Sequence, residues 1–172
     1  MTTRDTRTTR LHAAAGGKGK SAGKHAATGG KGKAPGKHAA TGGKGRAARI
    51  EDYALIGDTR SAALVSRYGS IDWCCAPRFD SPACFAALLG EPAHGYWHIG
   101  PRGPVTRITR RYRRDTMVVE SEMHTEGGTV RLIDCMAMSG DRTDIVRIVE
   151  GVRGTVSMGV ELTIRFGYGS VV

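Results

Sequence analysis

Three acids, Glu120, Glu122 and Glu126, come closest to the spacing of a reactive pair. Two residues apart on an extended chain, Glu120 and Glu122 share a face at about 6.5–7 Å. At that separation one carboxyl can donate a proton while the other activates water. Alternation around them also fits an ordinary solvated strand face, so neither is assigned a catalytic role. His94, His98 and His124 stand apart from one another, without a sequence neighbour to act as base partner, and are expected on the surface or packed. Cys74, Cys75, Cys84 and Cys135 form no C-x-x-C pair, which argues against a zinc site. They are expected as small buried thiols in a reducing compartment, with Cys74 and Cys75 pointing to opposite faces of an extended segment. Nothing in the sequence calls for a metal or a cofactor. The densest chemistry lies in "GSIDWCCAPRFDSPACF", residues 69–85, where Trp73 precedes an Arg78-Phe79-Asp80 triplet held between Pro77 and Pro82. That stretch is either a stiff corner of the fold or a loop held out to touch something.

The elements that must carry these residues have period two. From Thr155 to Phe166, Val156, Met158, Val160, Leu162, Ile164 and Phe166 alternate with polar residues or glycine, which predicts a strand. "DIVRIVEGVRGTVSMGVEL" is predicted as a hairpin turning at Gly151–Gly154. "MVVESEMHTEGGTVRLIDCM" is predicted as another, with Gly127-Gly128 supplying positive φ. "VTRITRRYRR" has the polarity of an edge strand. "YALIGD", "SAALVSRYGSIDW" and "GYWHIG" supply further short strands, with Tyr68-Gly69-Ser70 as a turn. Only "SPACFAALLG" carries helix signals: Ser81 as cap, Pro82 at the first position and Gly90 at the end. Eight or nine short strands with little helix predict an antiparallel β-sandwich, an all-β fold. The last strand has no closing turn after it, so the sandwich is expected to be cut short.

Ahead of this lies a segment of different composition. Residues 1–49 hold twelve Lys/Arg against the single acid Asp5, a net +11, whereas residues 50–172 balance fourteen basic against fifteen acidic residues, a net −1. Units of thirteen residues, "LHAAAGGKGKSAG", "KHAATGGKGKAPG" and the partial "KHAATGGKGR", are mostly Gly, Ala and Lys. Glycine costs about 1 kcal/mol per helical residue, and no large apolar side chain offsets it, so 1–49 is expected to be a disordered basic tail. Its histidines, His12, His25 and His38, recur too far apart to preform a metal site. Two readings stand for the tail. One is a weak, salt-sensitive tether to nucleic acid or an anionic surface, non-specific because no aromatic residue is present to stack on bases. The other is a near-neutral expansion of repeated coding sequence, or a start codon set too far upstream. No apolar run approaches the ~18 residues of a membrane span, and no signal-peptide core opens the chain. A cytoplasmic protein that does not engage the membrane is expected.

The run "IEDYALIGDTRSAALVSRYGSIDWCCAPRFDSPACFAALLG" resembles the start of bacterial glycoside hydrolase family 15 proteins, the glucoamylase and trehalase-like enzymes. "GYWHIGP", "RRYRRDTMVVESEMHTEGGTVRLIDCM" and "RFGYGSVV" follow in that family's order, so the resemblance covers residues 50–172. It implies a large supersandwich-type β-sandwich that, in the family, is linked to an (α/α)6 barrel. The barrel carries a general-acid and a general-base glutamate, spaced about 6.5–9.5 Å apart for inversion at an α-glucosidic bond. No segment of this chain matches the barrel, so no catalytic residue is carried over. The expectation is a non-catalytic N-terminal unit, inactive alone, of an α,α-trehalase-like enzyme, with a glucoamylase-like one as the close alternative. Its partner would be its own barrel or one separately encoded, and trehalose or another α-glucoside the full enzyme's substrate. In a different class stands a non-catalytic sandwich tethered to nucleic acid by its tail. Under the resemblance, the proline-bounded loop has a structural reading, with Phe79 plugging the sandwich and Arg78 paired to Asp80 or a neighbouring acid. It also has a functional one, in which Trp73, Arg78, Phe79 and Asp80 complete the rim of a sugar pocket.

Overall fold

A computed structural model describes residues 6–12 and 48–170, with only the backbone given for 6–12. Eleven strands form among these residues: β1 (Thr6–His12), β2 (Tyr53–Gly57), β3 (Ala62–Ser66), β4 (Ser70–Cys75), β5 (Ala83–Phe85), β6 (Tyr96–Pro101), β7 (Arg107–Tyr112), β8 (Val119–Thr125), β9 (Gly128–Ser139), β10 (Arg142–Gly154) and β11 (Met158–Thr163). They make two antiparallel sheets. One runs β1-β10-β9-β8-β7; the other runs β11-β6-β4-β3-β2, with β5 added alongside β4. Among the described residues no helix is long and apolar enough to cross a membrane.

Alternation builds the core between the sheets. Ile56, Val65, Ile71, Trp97 and Ile99 from one sheet meet Val119, Met123, Val130, Leu132 and Ile145 from the other. Between the apolar layers lies a charged crossing. Arg147, fully buried on β10, faces Asp134, its register partner on β9, with Nε donating to Oδ1 at 2.7 Å. Its Nη1 donates to the Trp97 carbonyl at 2.6 Å and its Nη2 to the Gly69 carbonyl at 2.8 Å, both in the opposite sheet or its turn. The guanidinium also lies 5.2 Å from the Trp97 ring centroid, within cation–π range. One side chain thus ties the two layers together.

The edges are managed by different means. β7 ends its sheet, as its polarity predicts, and its side chains close the free edge of β2. The Tyr112 hydroxyl accepts from the Leu55 amide at 2.9 Å and donates to the Leu55 carbonyl at 3.0 Å, while Arg110 donates to the Asp52 carbonyl. Side chains thereby satisfy backbone groups that an open edge would offer to another chain. On the outer face of the first sheet, charges alternate across strands: Arg131 is bonded to both Glu122 (2.6 Å) and Glu150 (2.8 Å), and Arg111 and Arg113 converge on Glu120.

Several expectations are corrected. The segment 144–162 is not a hairpin: β10 continues to Gly154 against β9, Gly151–Arg153 form a bulge, and β11 crosses to pair with β6 in the other sheet. Gly127-Gly128 do join β8 to β9, but neither takes positive φ. They are needed for close approach, because a Cβ on Gly128 would stand 2.2 Å from the Arg153 carbonyl oxygen. "SPACFAALLG" is not a helix. Ala83–Phe85, buried throughout, pair with β4, and only a single 3-10 turn, Ala87–Leu89, follows. Lastly, the structureless leader has an exception in β1, which pairs along β10 from Glu150 to Asp144. Its physical reason is that 6–12 precede the glycines of the repeat and are rich in β-branched Thr; the rest of that prediction, over 1–5 and 13–47, lies outside the described residues. The alternating strand at 155–166 shortens to Met158–Thr163. As an edge flanked only by β6, it leaves Val160 and Leu162 more than 40% exposed.

Candidate functional site

The proline-bounded loop leaves β4 at Cys75 and passes through a cis Ala76–Pro77 bond. Short local bonds hold it: the Arg78 amide donates to the Ser81 hydroxyl at 3.1 Å, and the Ser81 amide to the Arg78 carbonyl at 3.1 Å. Long-range bonds fix its placement. The Phe79 amide donates to the Arg60 carbonyl at 3.0 Å, and the Thr143 hydroxyl to the Pro77 carbonyl at 3.2 Å. Arg60 in turn donates to the Gly140 carbonyl and pairs with Asp141 at 3.0 Å, so the loop, the β2–β3 connection and the β9–β10 turn form one cluster. Asp58 supports it by accepting the amides of Arg60 and Ser61.

Within this cluster Phe79 does not plug the sandwich; it is 63% exposed. Arg78 does pair with Asp80, Nε to Oδ1 at 3.0 Å, and the guanidinium holds the Asp80 carboxyl below the usual carboxylate range. The result is an exposed aromatic face beside an exposed donor–acceptor pair. That combination suits a ligand with CH faces and vicinal hydroxyls. Trp73 has other company. It sits half-buried on the outer face of β4, against Cys75, Ala83 and Ala86, with its ring centroid 5.9 Å from that of Tyr168. The structure therefore brings Arg78, Phe79 and Asp80 together and gives Trp73 a separate aromatic partner.

The acids and histidines take defined places. Glu120 is not solvated: it is buried beneath Arg111 and Arg113, whose bonds, that of Arg113 first, lower its pKa. A carboxyl held ionised in this way cannot act as a proton donor. Glu122 is engaged by Arg131. The His94 ring accepts the Glu91 amide at 2.9 Å, and His124 Nδ1 lies 3.1 Å from the Thr129 hydroxyl. Cys74 enters the main core while Cys75 joins the satellite cluster, as their opposite faces require. The Cys84 thiol beside it, together with burial, pushes the Cys74 thiol well up.

A polar row went unseen in the sequence. Ser70, His98 and Glu161 are register partners across β4, β6 and β11 on the outer face of the second sheet. Ser70 donates to Asp72, which also accepts from the Tyr53 hydroxyl at 2.6 Å, and Glu161 accepts from the Tyr96 hydroxyl at 2.8 Å. Burial and the bond to Asp72 push the Tyr53 hydroxyl strongly up; burial and Glu161 do the same, less strongly, for Tyr96. The only sequence trace of this row is the set of polar residues at outward positions of otherwise apolar strands.

With this geometry in place, a family model described as trehalase-like, N-terminal, matches residues 41–172. The chain belongs to that family. This trehalase-like N-terminal domain is 37% identical over 98 residues to a trehalase of Mycobacterium tuberculosis, covering 57% of the chain and 14% of the relative. It is 32% identical over 120 residues to trehalase 2 of Sulfolobus acidocaldarius, covering 70% of the chain and 19% of the relative. A trehalase of Thermoplasma volcanium is 30% identical over 127 residues, covering 70% of the chain and 20% of the relative. The chain thus spans no more than about a fifth of the length of these relatives. No solved structure matches it significantly.

Proposed function

We propose that this domain is the non-catalytic N-terminal unit of an α,α-trehalose-hydrolysing enzyme, working beside an (α/α)6 barrel that carries the reacting glutamates. The observation that carries this reading is the family match over 41–172, joined to relatives that are named trehalases and are aligned over only 14–20% of their length. The locked state of Glu120 and Glu122 supports it from the chemical side. In the full enzyme the two barrel carboxyls invert the anomeric centre, one protonating the glycosidic oxygen and the other activating water. The sandwich contributes the wall: Phe79 offers a flat apolar face to the sugar's CH groups, Arg78 and Asp80 reach its hydroxyls, and Trp73 stiffens the base of the loop. A glucoamylase-like substrate is the alternative, separated by assaying this unit joined to its own barrel on trehalose against maltodextrin.

The test is a chimera in which the 172-residue chain replaces the matching segment of the Mycobacterium tuberculosis trehalase. The chimera is expected to release glucose from trehalose in preference to maltodextrin. Phe79→Ala is expected to raise KM about tenfold, the loss of a ring contact near 1.4 kcal/mol. Unchanged KM in both Phe79→Ala and Arg78→Ala would remove the loop from the pocket. Preference for maltodextrin by the unit joined to its own barrel would move the assignment to the glucoamylase side.

A further inference from the structure

A cavity of about 170 Å³ lies away from the loop, where the β3–β4 turn, the end of β6 and the entry to β7 meet. Its walls divide by chemistry. Val105, Ile108 and Met123 form an apolar side continuous with the core, and Arg67, Arg107 and His98 form the polar side. A space of ~150 Å³ accepts a benzene-sized ring, so this one has room for a single ring. Among the described residues no acid lines it, although residues 50–172 as a whole carry a net charge of −1. Arg67 is partly engaged, its Nη1 lying 3.3 Å from Asp52. Arg107 is exposed, and among the described residues no carboxylate pairs with it. Burial, with Arg147 behind it, lowers the pKa of His98, so the imidazole is a neutral hydrogen-bonding group and the charge falls to the two guanidiniums.

We propose that this cavity is a binding site for a small ring-bearing carboxylate, its ring against Val105, Ile108 and Met123 and its anionic group held by Arg107 and Arg67. A neutral sugar satisfies neither half, because its hydroxyls would face apolar walls and the arginines would gain no counter-charge. The site is therefore separate from the sugar rim, and its failure would leave that assignment untouched.

The probe is benzoate, titrated into the full chain and followed by the methyl resonance of Met123 and the ring resonances of His98. Saturable binding with shifts at both residues is expected, weakened about tenfold by Arg107→Gln, which removes one charge-assisted bond from an exposed side chain without disturbing the core. Toluene and inorganic phosphate, each carrying half of the chemistry, are expected to bind at least about tenfold more weakly than benzoate. Absence of saturation with benzoate up to about 50 mM, or equal affinity in wild type and in both Arg107→Gln and Arg67→Gln, would overturn the proposal. Toluene or phosphate binding as tightly as benzoate would overturn it as well.

Discussion

Replacing Arg147 by Leu removes the one cation buried between the sheets among the described residues. The guanidinium is fully buried and donates to Asp134 at 2.7 Å, to the Trp97 carbonyl at 2.6 Å and to the Gly69 carbonyl at 2.8 Å. Gly69 keeps a second donor, the Ile99 amide at 2.9 Å, so its carbonyl is not stranded. Asp134 is left as a buried carboxylate without its cation, and the Trp97 carbonyl loses a donor. Breaking a buried pair from one side costs about 3–5 kcal/mol, against a total stability of about 5–15 kcal/mol for a domain of this size. The paired change Arg147→Leu with Asp134→Leu removes both charges, and the residual cost is then near the ~1 kcal/mol of the Trp97 carbonyl's lost bond. Urea unfolding followed by tryptophan fluorescence reads the difference. With a slope of about 1.5–2 kcal/mol/M, the single variant is expected to lower the midpoint by about 2 M and the double variant by under ~1 M. A single variant within ~0.5 M of wild type, or a double variant no better than the single, would refute the assignment of Arg147 as the tie between the sheets.

Glu120→Gln tests the arginine clamp. Because the folded pKa of Glu120 is depressed, its contribution is present above the ordinary glutamate range and is lost as pH falls through the lower folded value. The variant should be less stable than wild type by ~1 kcal/mol at neutral pH, since Arg111 and Arg113 are largely exposed, and the gap should close in acid. Urea midpoints at the two pH extremes report it; an equal gap at both would contradict the clamp. Tyr112→Phe removes the hydroxyl that caps β2, and is expected to cost ~1 kcal/mol and to speed hydrogen exchange at the Leu55 amide; unchanged exchange there would count against the edge closure. For the basic segment, the tether reading predicts binding to duplex DNA at low salt that vanishes when residues 13–47 are removed, a deletion that spares β1, and absence of binding at low salt would remove that reading. Binding that survives the deletion would place the affinity elsewhere.

Local alternation made most of the sandwich legible, and contacts distant in sequence account for most of what was missed. The β8–β9 hairpin was readable because two glycines interrupt a clean period-two pattern. Their purpose was not, since it depends on β10 passing within 2.2 Å of where a Cβ would stand. "SPACFAALLG" carries helix punctuation at both ends. What overrides it is remote: Ala83 and Cys84 carbonyls accept the amides of Tyr168 and Arg165, more than eighty residues further on. Gly151 and Gly154 resemble a turn until β9, twelve residues long, supplies a partner for the whole of β10. At the candidate site, the pairing of Arg78 with Asp80 follows from a two-residue spacing on a stiff loop, whereas the exposure of Phe79 and the partnership of Trp73 with Tyr168 do not. Arg147 was invisible for the same reason: nothing in "DIVRIVE" says that its arginine, rather than its neighbours Val146 and Ile148, meets the opposite sheet.

Glucose release from α,α-trehalose by the purified 172-residue chain tests the central claim most directly. None above buffer is expected, because the two same-face carboxylates of β8 are each bonded to arginine, Glu120 to Arg113 and Glu122 to Arg131, and are assigned no part in the reaction. Turnover at an enzyme-like rate, on the order of 1 s⁻¹ or more, would contradict it.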